Sequence, residues 1–374
     1  MSRSRVDVVL TAFGRDRHER LVVLRTLVVA LAAGALFAAL GSPLPWLIGP
    51  LLVTAGARLN GVALDSPHLL RGAGQWVIGA ALGLYFTPQV ITQLTGLWWA
   101  ILCAMVLAWS LTLLFGWILR RWGGLDPATA FFAGAVGSAT EMSIQGERHG
   151  GRFELIAAVH SVRVVIVVVG VPYVYKWLQL HGTDPYSAST LDVWWPGLLA
   201  LILTSVALAS WLGRWGFPNV WMMAPLVVAA LASAVDAPPS ALPRWFVIAG
   251  QLFIGMSLGV RFRPESMAHI KRIVPLVIIS TAGLILLAAA AATALAWVVE
   301  LPAATMILAT SPGGIAEMSL TAKVLQLGVP VVTAFQVARM IAMVLTVGPI
   351  YRTLVQRWPA RWGTPSGGPD MGRT

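Results

Sequence analysis

Four ionisable side chains lie inside strongly apolar stretches of this 374-residue sequence, where they could bind a solute or carry a proton: Glu141, Arg163, Glu317 and Arg339. An arginine at the centre of a membrane helix costs about 2.5–3.5 kcal/mol on insertion scales. It is retained where it pairs with another group or faces water or a ligand. Two interpretations follow: structural ion pairs Glu141–Arg163 and Glu317–Arg339, or a site for a ligand or a proton.

Further polar residues extend this candidate site. Four hydroxyls would line it, two residues lie three positions before the arginines on the same helical face, and two glutamines could line a path. These residues are Ser138, Thr140, Ser143, Ser319, His160, Gln336, Gln75 and Gln251. Each also has a structural interpretation, as a packing hydroxyl, a hydrogen-bonded core residue or part of a close helix contact.

Helix-breaking residues surround the same positions: Gly134, Gly137, Pro312, Gly313 and Gly314. A broken helix leaves backbone amides and carbonyls unpaired, and a helix amino end inside a membrane favours an anion. With a rise of about 1.5 Å per residue, all four ionisable groups fall near the centre of an apolar layer about 30 Å thick.

The composition predicts an all-α polytopic membrane protein. Hydrophobic residues make up 57% of the chain and charged residues only 11%, whereas soluble domains carry about 25% charged residues. The basic residues lie singly or in pairs between apolar runs, which indicates membrane topology and not direct nucleic-acid binding. The six histidines and the single Cys103 form no metal-ligand spacing. We therefore expect no metal, no cofactor and no enzyme.

The chain consists of two halves that repeat each other in sequence. GSPLPWLIGP (41–50) aligns with GFPNVWMMAP (216–225), and GQWVIGAALG (74–83) aligns with GQLFIGMSLG (250–259). The offset stays at about 175–176 residues for two further matches, TAFFAGAVGSATEMS with TMILATSPGGIAEMS and HSVR with QVAR. The predicted organisation is an amino-terminal tail (1–20), a first membrane repeat (21–180), a linker (181–193), a second repeat (194–357) and a carboxyl-terminal tail (358–374).

Each half has six apolar segments, and the distribution of basic residues indicates that the halves are inverted. Arginines cluster before the first segment, whereas in the second half they lie in the loop 261–272, whose counterpart in the first half is uncharged. Inversion requires an odd number of crossings per half. The simplest solution makes the fifth segment a re-entrant hairpin; a broken crossing there is the alternative. Both termini would then be cytosolic, in a bacterial inner membrane.

The motifs PWLIGPLL, GSATEMS and SPGGIAEMS, with the tandem repeat, resemble the AbrB duplication family of bacterial membrane proteins. Members of that family carry labels such as regulator of gene expression and ammonia monooxygenase. The resemblance also implies a fold like that of cation:proton antiporters and anion transporters. The scattered histidines do not favour the oxygenase label.

The sequence favours a secondary transporter of a small solute, for which the arginines would suit an anion and the glutamates proton coupling. The alternative is a membrane regulator or sensor that acts indirectly on gene expression. The expected partners are the lipid bilayer and a small molecule or ion, and the repeat is compatible with a homo-oligomer.

Overall fold

The computed structural model describes residues 17–182, 192–237 and 240–357, and these residues form helices joined by short connections. Residues 1–16 of the amino-terminal tail, residues 183–191 of the linker and the tail 358–374 lie outside the described residues. The helices of the first half are α1 (Arg17–Ala39), α2 (Pro45–Leu59), α3 (His68–Gly83), α4 (Pro88–Gly96), α5 (Trp98–Arg121), α6 (Pro127–Gly134), α7 (Ala139–Arg148) and α8 (Phe153–Trp177). Those of the second half are α9 (Trp195–Arg214), α10 (Val220–Ala234), α11 (Arg244–Gly259), α12 (Pro264–Ile270), α13 (Val274–Val299), α14 (Ala303–Thr310), α15 (Ile315–Leu325) and α16 (Val329–Ile350), which continues into a π-helical turn (Tyr351–Gln356).

The eight helices α1–α8 have counterparts of similar length in α9–α16. Helices α2 and α10 both have 15 residues, α3 and α11 both have 16, and α6 and α14 both have 8. The residue before α2 and the residue before α10, Leu44 and Asn219, both adopt the left-handed conformation, with φ of 49° and 51°. These paired lengths and conformations are the ones that the predicted repeat would give, and the repeat itself stays a prediction from the sequence.

Among the described residues, six helices are long and apolar enough to cross a membrane, judged by length and composition: α1, α5, α8, α9, α13, and α16 with its π-helical turn. Two of them differ from the rest in their surroundings. Helices α8 and α16 bury 61% and 56% of their apolar stretch inside the protein, whereas the other four bury 22–28%. Helices α8 and α16 are therefore the inner helices, and the other four leave most of their surface to an apolar solvent.

The chain forms two compact units, and each unit combines the same helices from both halves. The first unit contains α1–α3 and α9–α11; the second contains α4–α8 and α12–α16. The compact units therefore do not coincide with the repeats 21–180 and 194–357, whose boundaries stay a prediction from sequence.

In the first unit the glycine-rich helix of each half, α3 or α11, packs against a helix of the other half. A Cβ atom added to Gly83 of α3 would lie 2.5 Å from the carbonyl oxygen of Leu226 in α10. A Cβ atom added to Gly259 of α11, its counterpart, would lie 2.6 Å from the carbonyl oxygen of Leu51 in α2. Glycine is required here because any side chain would force the backbones apart. Each half thus packs α3 or α11 against the other half.

Candidate functional site

The fifth segment of each half is broken into two short helices in the second unit. Helix α6 begins where Asp126 accepts a hydrogen bond from the backbone N–H of Thr129 at 2.8 Å, followed by Pro127 in the first turn. It ends at Gly134, and α7 begins at Ala139, so residues 135–138 form the first break. Residues 311–314 form the second break, between α14 and α15. The predicted breaking residues Gly137, Pro312, Gly313 and Gly314 lie within these breaks, and Gly134 is the last residue of α6.

Helices α6 and α7 form a hairpin, because the start of α6 lies beside the start of α8, just after α7 ends. The backbone N–H of Arg152 donates to the Thr129 hydroxyl at 2.8 Å, and the Arg152 guanidinium lies 3.7 Å from the Asp126 carboxylate. A Cβ atom added to Gly146 of α7 would lie 3.2 Å from Cβ of Phe132 in α6. The chain therefore enters and leaves this segment at one end of the unit, which is the hairpin geometry and not a broken crossing.

The second hairpin, α14–α15, is built in the same way at the opposite end of α8. A Cβ atom added to Gly328, just before α16, would lie 2.6 Å from Cγ2 of Thr305 near the start of α14. The Tyr175 hydroxyl, near the end of α8, donates to the Ala304 carbonyl at 2.8 Å. Helix α8 therefore runs from the base of one hairpin to the base of the other.

Helix α16 runs in the opposite direction between the same two bases. Its first turn lies at the second hairpin, and the ring of Tyr351, directly after α16, lies 5.1 Å from the rings of Phe132 and His149 in the first hairpin. Helices α8 and α16 are counterparts in the two halves. The pair is therefore antiparallel, and the two hairpins approach from opposite ends of the second unit.

Arg163 binds the tip of the first hairpin through backbone carbonyls. Its guanidinium donates to the carbonyl oxygens of Ala133, Gly134 and Ala135 at 3.4, 3.1 and 2.7 Å. It also lies 5.8 Å from the centre of the Phe115 ring, and only 3% of the residue is exposed. Because the last carbonyls of a helix have no intrahelical partner, Arg163 replaces the hydrogen bonds that the break in the segment removes.

Arg339 does the same at the tip of the second hairpin. Its guanidinium donates to the carbonyl oxygens of Ser311 and Gly313 at 2.5 Å each, and 8% of the residue is exposed. Both broken segments of the second unit are thus held by a buried cation from the following helix of their own half.

His160 and Gln336, three residues before the arginines, complete the two tips. His160 Nε2 contacts the Phe132 carbonyl at 3.0 Å, and its Nδ1 contacts Arg163 at 2.9 Å. Gln336 donates through Nε2 to the carbonyls of Leu308 and Ser311 at 3.0 and 3.1 Å, and its Oε1 accepts from Arg339. Both residues therefore accept a hydrogen bond from the arginine; His160 contacts one carbonyl of its hairpin, and Gln336 contacts more than one.

The terminal nitrogens of both arginines bond to carbonyls and to His160 or Gln336. The broken segments thus supply carbonyl partners that the sequence did not predict, and the ion pairs Glu141–Arg163 and Glu317–Arg339 stay a prediction. The glutamates lie in the first turns of α7 and α15. There a carboxylate favourably opposes the positive end of the helix dipole.

Glu317 illustrates this role. A side chain on Gly314, the residue before α15, would collide with the Glu317 carboxylate, whose carbon lies 2.9 Å from that position. The carboxylate therefore lies close to the amino end of α15, in the position of a capping-box acid. Glu141 follows Ser138 by the same spacing and is half-buried, whereas Glu317 is 8% exposed.

The predicted hydroxyls divide into two classes. Ser143 and Ser319 are fully buried: Ser143 donates to the Ala139 carbonyl at 2.7 Å, and Ser319 lies 2.9 Å from the Thr333 hydroxyl of α16. Ser138 is half-buried and Thr140 is exposed at the first tip. The buried pair fixes the hairpins, and the tip residues are the ones that a solute could reach.

The predicted glutamines belong to the first unit and not to the unit that holds the arginines. Gln75 of α3 donates to the Asn219 side chain at 3.5 Å, and Gln251 of α11 is half-buried. The structure therefore supports helix packing for the glycine segments around them. Thr333 and Tyr175, which contact the second hairpin, could not be predicted because a single sequence carries no motif for them.

The electrostatic character of the second unit follows from these contacts. The carboxyl ends of α6 and α14 meet arginines, and the amino ends of α7 and α15 meet glutamates. Within the described residues no three His, Cys, Asp or Glu side chains lie close enough to hold a metal ion. The arrangement can bind small charged groups through backbone dipoles and can exchange protons.

Comparison with known proteins gives one family. The sequence profile described as "Transition state regulatory protein AbrB" matches residues 46–355. A protein of Escherichia coli (strain K12) named "Putative regulator AbrB" is 24% identical over 329 residues, covering 87% of this chain and 94% of that protein. "Uncharacterized protein YhjN" of Bacillus subtilis (strain 168) is 25% identical over 356 residues, covering 87% of this chain and 91% of that protein.

Proposed function

We propose that this chain, which belongs to the AbrB family, is a secondary transporter of a small solute with inverted repeats and a binding site at its two hairpin tips. The observation that carries the proposal is that the two hairpins of the second unit enter it from its opposite ends. Inverted repeats with discontinuous helices that meet at a central site are a recurring design of secondary transporters.

The antiparallel arrangement of α8 and α16 supports the inversion. These helices occupy the same place in the two repeats, and each connects the bases of both hairpins. If both helices cross a bilayer, one hairpin enters from each side. Together with the cytosolic bias of the basic residues, this arrangement supports the proposal that the protein lies in a bacterial inner membrane with both termini in the cytosol.

The site favours a small anion that moves together with protons. The amino ends of α7 and α15 supply backbone N–H groups for an anion, and Glu141 and Glu317 in the same turns supply titratable carboxylates. The arginines contribute positive potential and not direct ligands, since their terminal nitrogens are already bonded to carbonyls.

The second candidate is a membrane regulator or sensor, which the name of the Escherichia coli relative favours. Such a protein would bind a ligand at the same tips without net flux. Deleting its gene would then change the expression of target genes while the uptake and export of solutes stayed normal. A transporter would change expression only through the solute that it moves.

The inversion is tested by matched cysteines in a Cys103→Ser background. Arg148 and Val324 occupy corresponding positions in the last turns of α7 and α15, and both are exposed. We expect Val324→Cys, and not Arg148→Cys, to react with a membrane-impermeant thiol reagent in intact cells. In broken cells both should react. Equal labelling in intact cells would refute the inversion.

Transport itself is tested in vesicles that carry an imposed proton gradient. Wild-type protein should accumulate a small organic or inorganic anion, and Glu141→Gln or Glu317→Gln should uncouple that accumulation from the gradient because the amide cannot carry a proton. Glu154→Gln is the matched control, since Glu154 is exposed in the first turn of α8. Gradient-driven flux that survives both site changes would contradict the assignment.

A further inference from the structure

We propose that His160 is a proton-binding site that locks the first hairpin tip when it is neutral and releases it when it is protonated. The lock itself requires no transport; its use for proton coupling rests on the proposed function.

The two contacts of the ring determine its protonation state. Arginine donates hydrogen bonds and has no acceptor, so Nδ1 of His160, 2.9 Å from the Arg163 guanidinium, must be the unprotonated nitrogen. The Phe132 carbonyl accepts and cannot donate, so Nε2, 3.0 Å away, must carry the hydrogen. The bonding pattern is satisfied by one form of histidine, the neutral ring with its hydrogen on Nε2.

Gln336 occupies the same position in the second half and makes the same two kinds of bond. Its oxygen accepts from Arg339 and its nitrogen donates to the carbonyls at the end of α14. An amide has a fixed acceptor and a fixed donor, and it does not titrate near neutral pH. The two hairpin tips thus share one geometry, but at this position beside the arginine the first has a side chain that titrates near neutral pH and the second does not.

Adding a proton to Nδ1 would turn the acceptor into a donor and place a second positive charge against Arg163. Both residues are buried, His160 completely, so water would not screen the repulsion. Arg163 holds the last carbonyls of α6. Its displacement would free the tip formed by residues 135–138.

Charged groups lie on two of the helices that pack most extensively against α8, which are α6, α7, α13 and α15. Helices α6 and α13 carry no charged residue, and the charged residues of the other two are Glu141, Glu147 and Arg148 on α7, and Glu317 and Lys323 on α15. Arg163, on α8 itself, lies at hydrogen-bond distance from the ring.

The repeat supplies the variants for the test. In full-length protein purified in detergent, thermal unfolding is measured at pH 7.5 and pH 5.5 for wild type, His160→Gln and Gln336→His. In the unfolded chain a histidine takes up a proton near pH 6.5, whereas the folded bonding pattern of His160 requires the neutral ring. Acid should therefore favour the unfolded chain and lower the melting temperature of wild type. In His160→Gln the acid-induced fall of the melting temperature should be about 3 °C smaller than in wild type, and in Gln336→His it should be larger by a similar amount.

A second measurement probes the accessibility of the first hairpin tip directly, and it does not depend on whether Gln336→His folds. Ser138→Cys is introduced into Cys103→Ser protein, with and without His160→Gln, and the rates of thiol labelling are compared at the same pH. At pH 5.5 the protein with His160 should label roughly tenfold faster, and at pH 7.5 the two rates should agree. Equal rates at both pH values, or an unchanged acid-induced fall of the melting temperature in His160→Gln, would overturn the proposal.

These readouts separate the proton site from the transport proposal. Acid-dependent stability and labelling that disappear in His160→Gln establish the proton site even if no solute moves. Flux with no such dependence would refute the site and leave the transporter intact.

Discussion

Replacing Arg163 by methionine distinguishes an arginine that holds a hairpin from one that binds a solute. Methionine keeps an unbranched apolar chain and removes every donor. The carbonyls of Gly134 and Ala135, which now accept at 3.1 and 2.7 Å, would lose their partner in a buried place. An unsatisfied buried acceptor costs about 1–3 kcal/mol, so two cost roughly 2–6 kcal/mol.

Part of this cost is recovered, because the variant no longer buries a charge. We therefore expect Arg163→Met to lower the free energy of unfolding by about 2–4 kcal/mol and the melting temperature by about 3–6 °C. The matched control is Arg152→Met, since Arg152 is exposed and its ion pair with Asp126 contributes at most about 1 kcal/mol.

Thermal unfolding in detergent at pH 7.5 measures both variants, and flux assays on the same preparations complete the comparison. If Arg163→Met were as stable as Arg152→Met but inactive, the arginine would act on the solute and the carbonyl contacts would be unimportant for the fold. If Arg163→Met were less stable and its residual folded fraction still moved solute, the holding role would be supported.

Two further substitutions test the packing contacts. Gly83→Ala should destabilise the protein by about 1–3 kcal/mol, because its Cβ would lie 2.5 Å from the Leu226 carbonyl; Gly283→Ala, which meets open space in a helix, should leave the melting temperature unchanged or raise it. Gly314→Ala should displace the Glu317 carboxylate from the amino end of α15 and cost about 0.5–1 kcal/mol in the same assay; a melting temperature equal to that of wild type would show that the carboxylate does not stabilise this helix.

The sequence predicted the helical membrane class and the position of the broken segments. These features follow from local composition: glycine and proline in 134–137 and 312–314 interrupt an apolar segment, and Arg163 and Arg339 lie where the next helix passes the interruption. The hairpin interpretation is likewise supported by the contact of Thr129 with Arg152.

The partners of the arginines could not be predicted in the same way. Opposite charge made Glu141 and Glu317 the obvious candidates, but carbonyl oxygens become available only where the backbone stops being helical, and each break supplies several at once. The division into compact units was also beyond the sequence. Repeats are recognised from similarity along the chain, whereas compact units depend on contacts such as that of Gly83 with Leu226, which joins residues of different halves.

The exchange of helices in the first unit has a consequence for biosynthesis. The glycine face of α3 packs on α10, and the counterpart of α3, α11, packs on α2. Gly83 of α3 and its contact Leu226 of α10 are 226 − 83 = 143 residues apart in the sequence. At about 5–20 residues per second, the ribosome needs about 7–30 s to make the second partner after the first. During that interval the glycine face of α3 has no α10 to pack against and is exposed to lipid. Each half would therefore serve as the folding template of the other, and two separately expressed halves should accumulate only when they are made together.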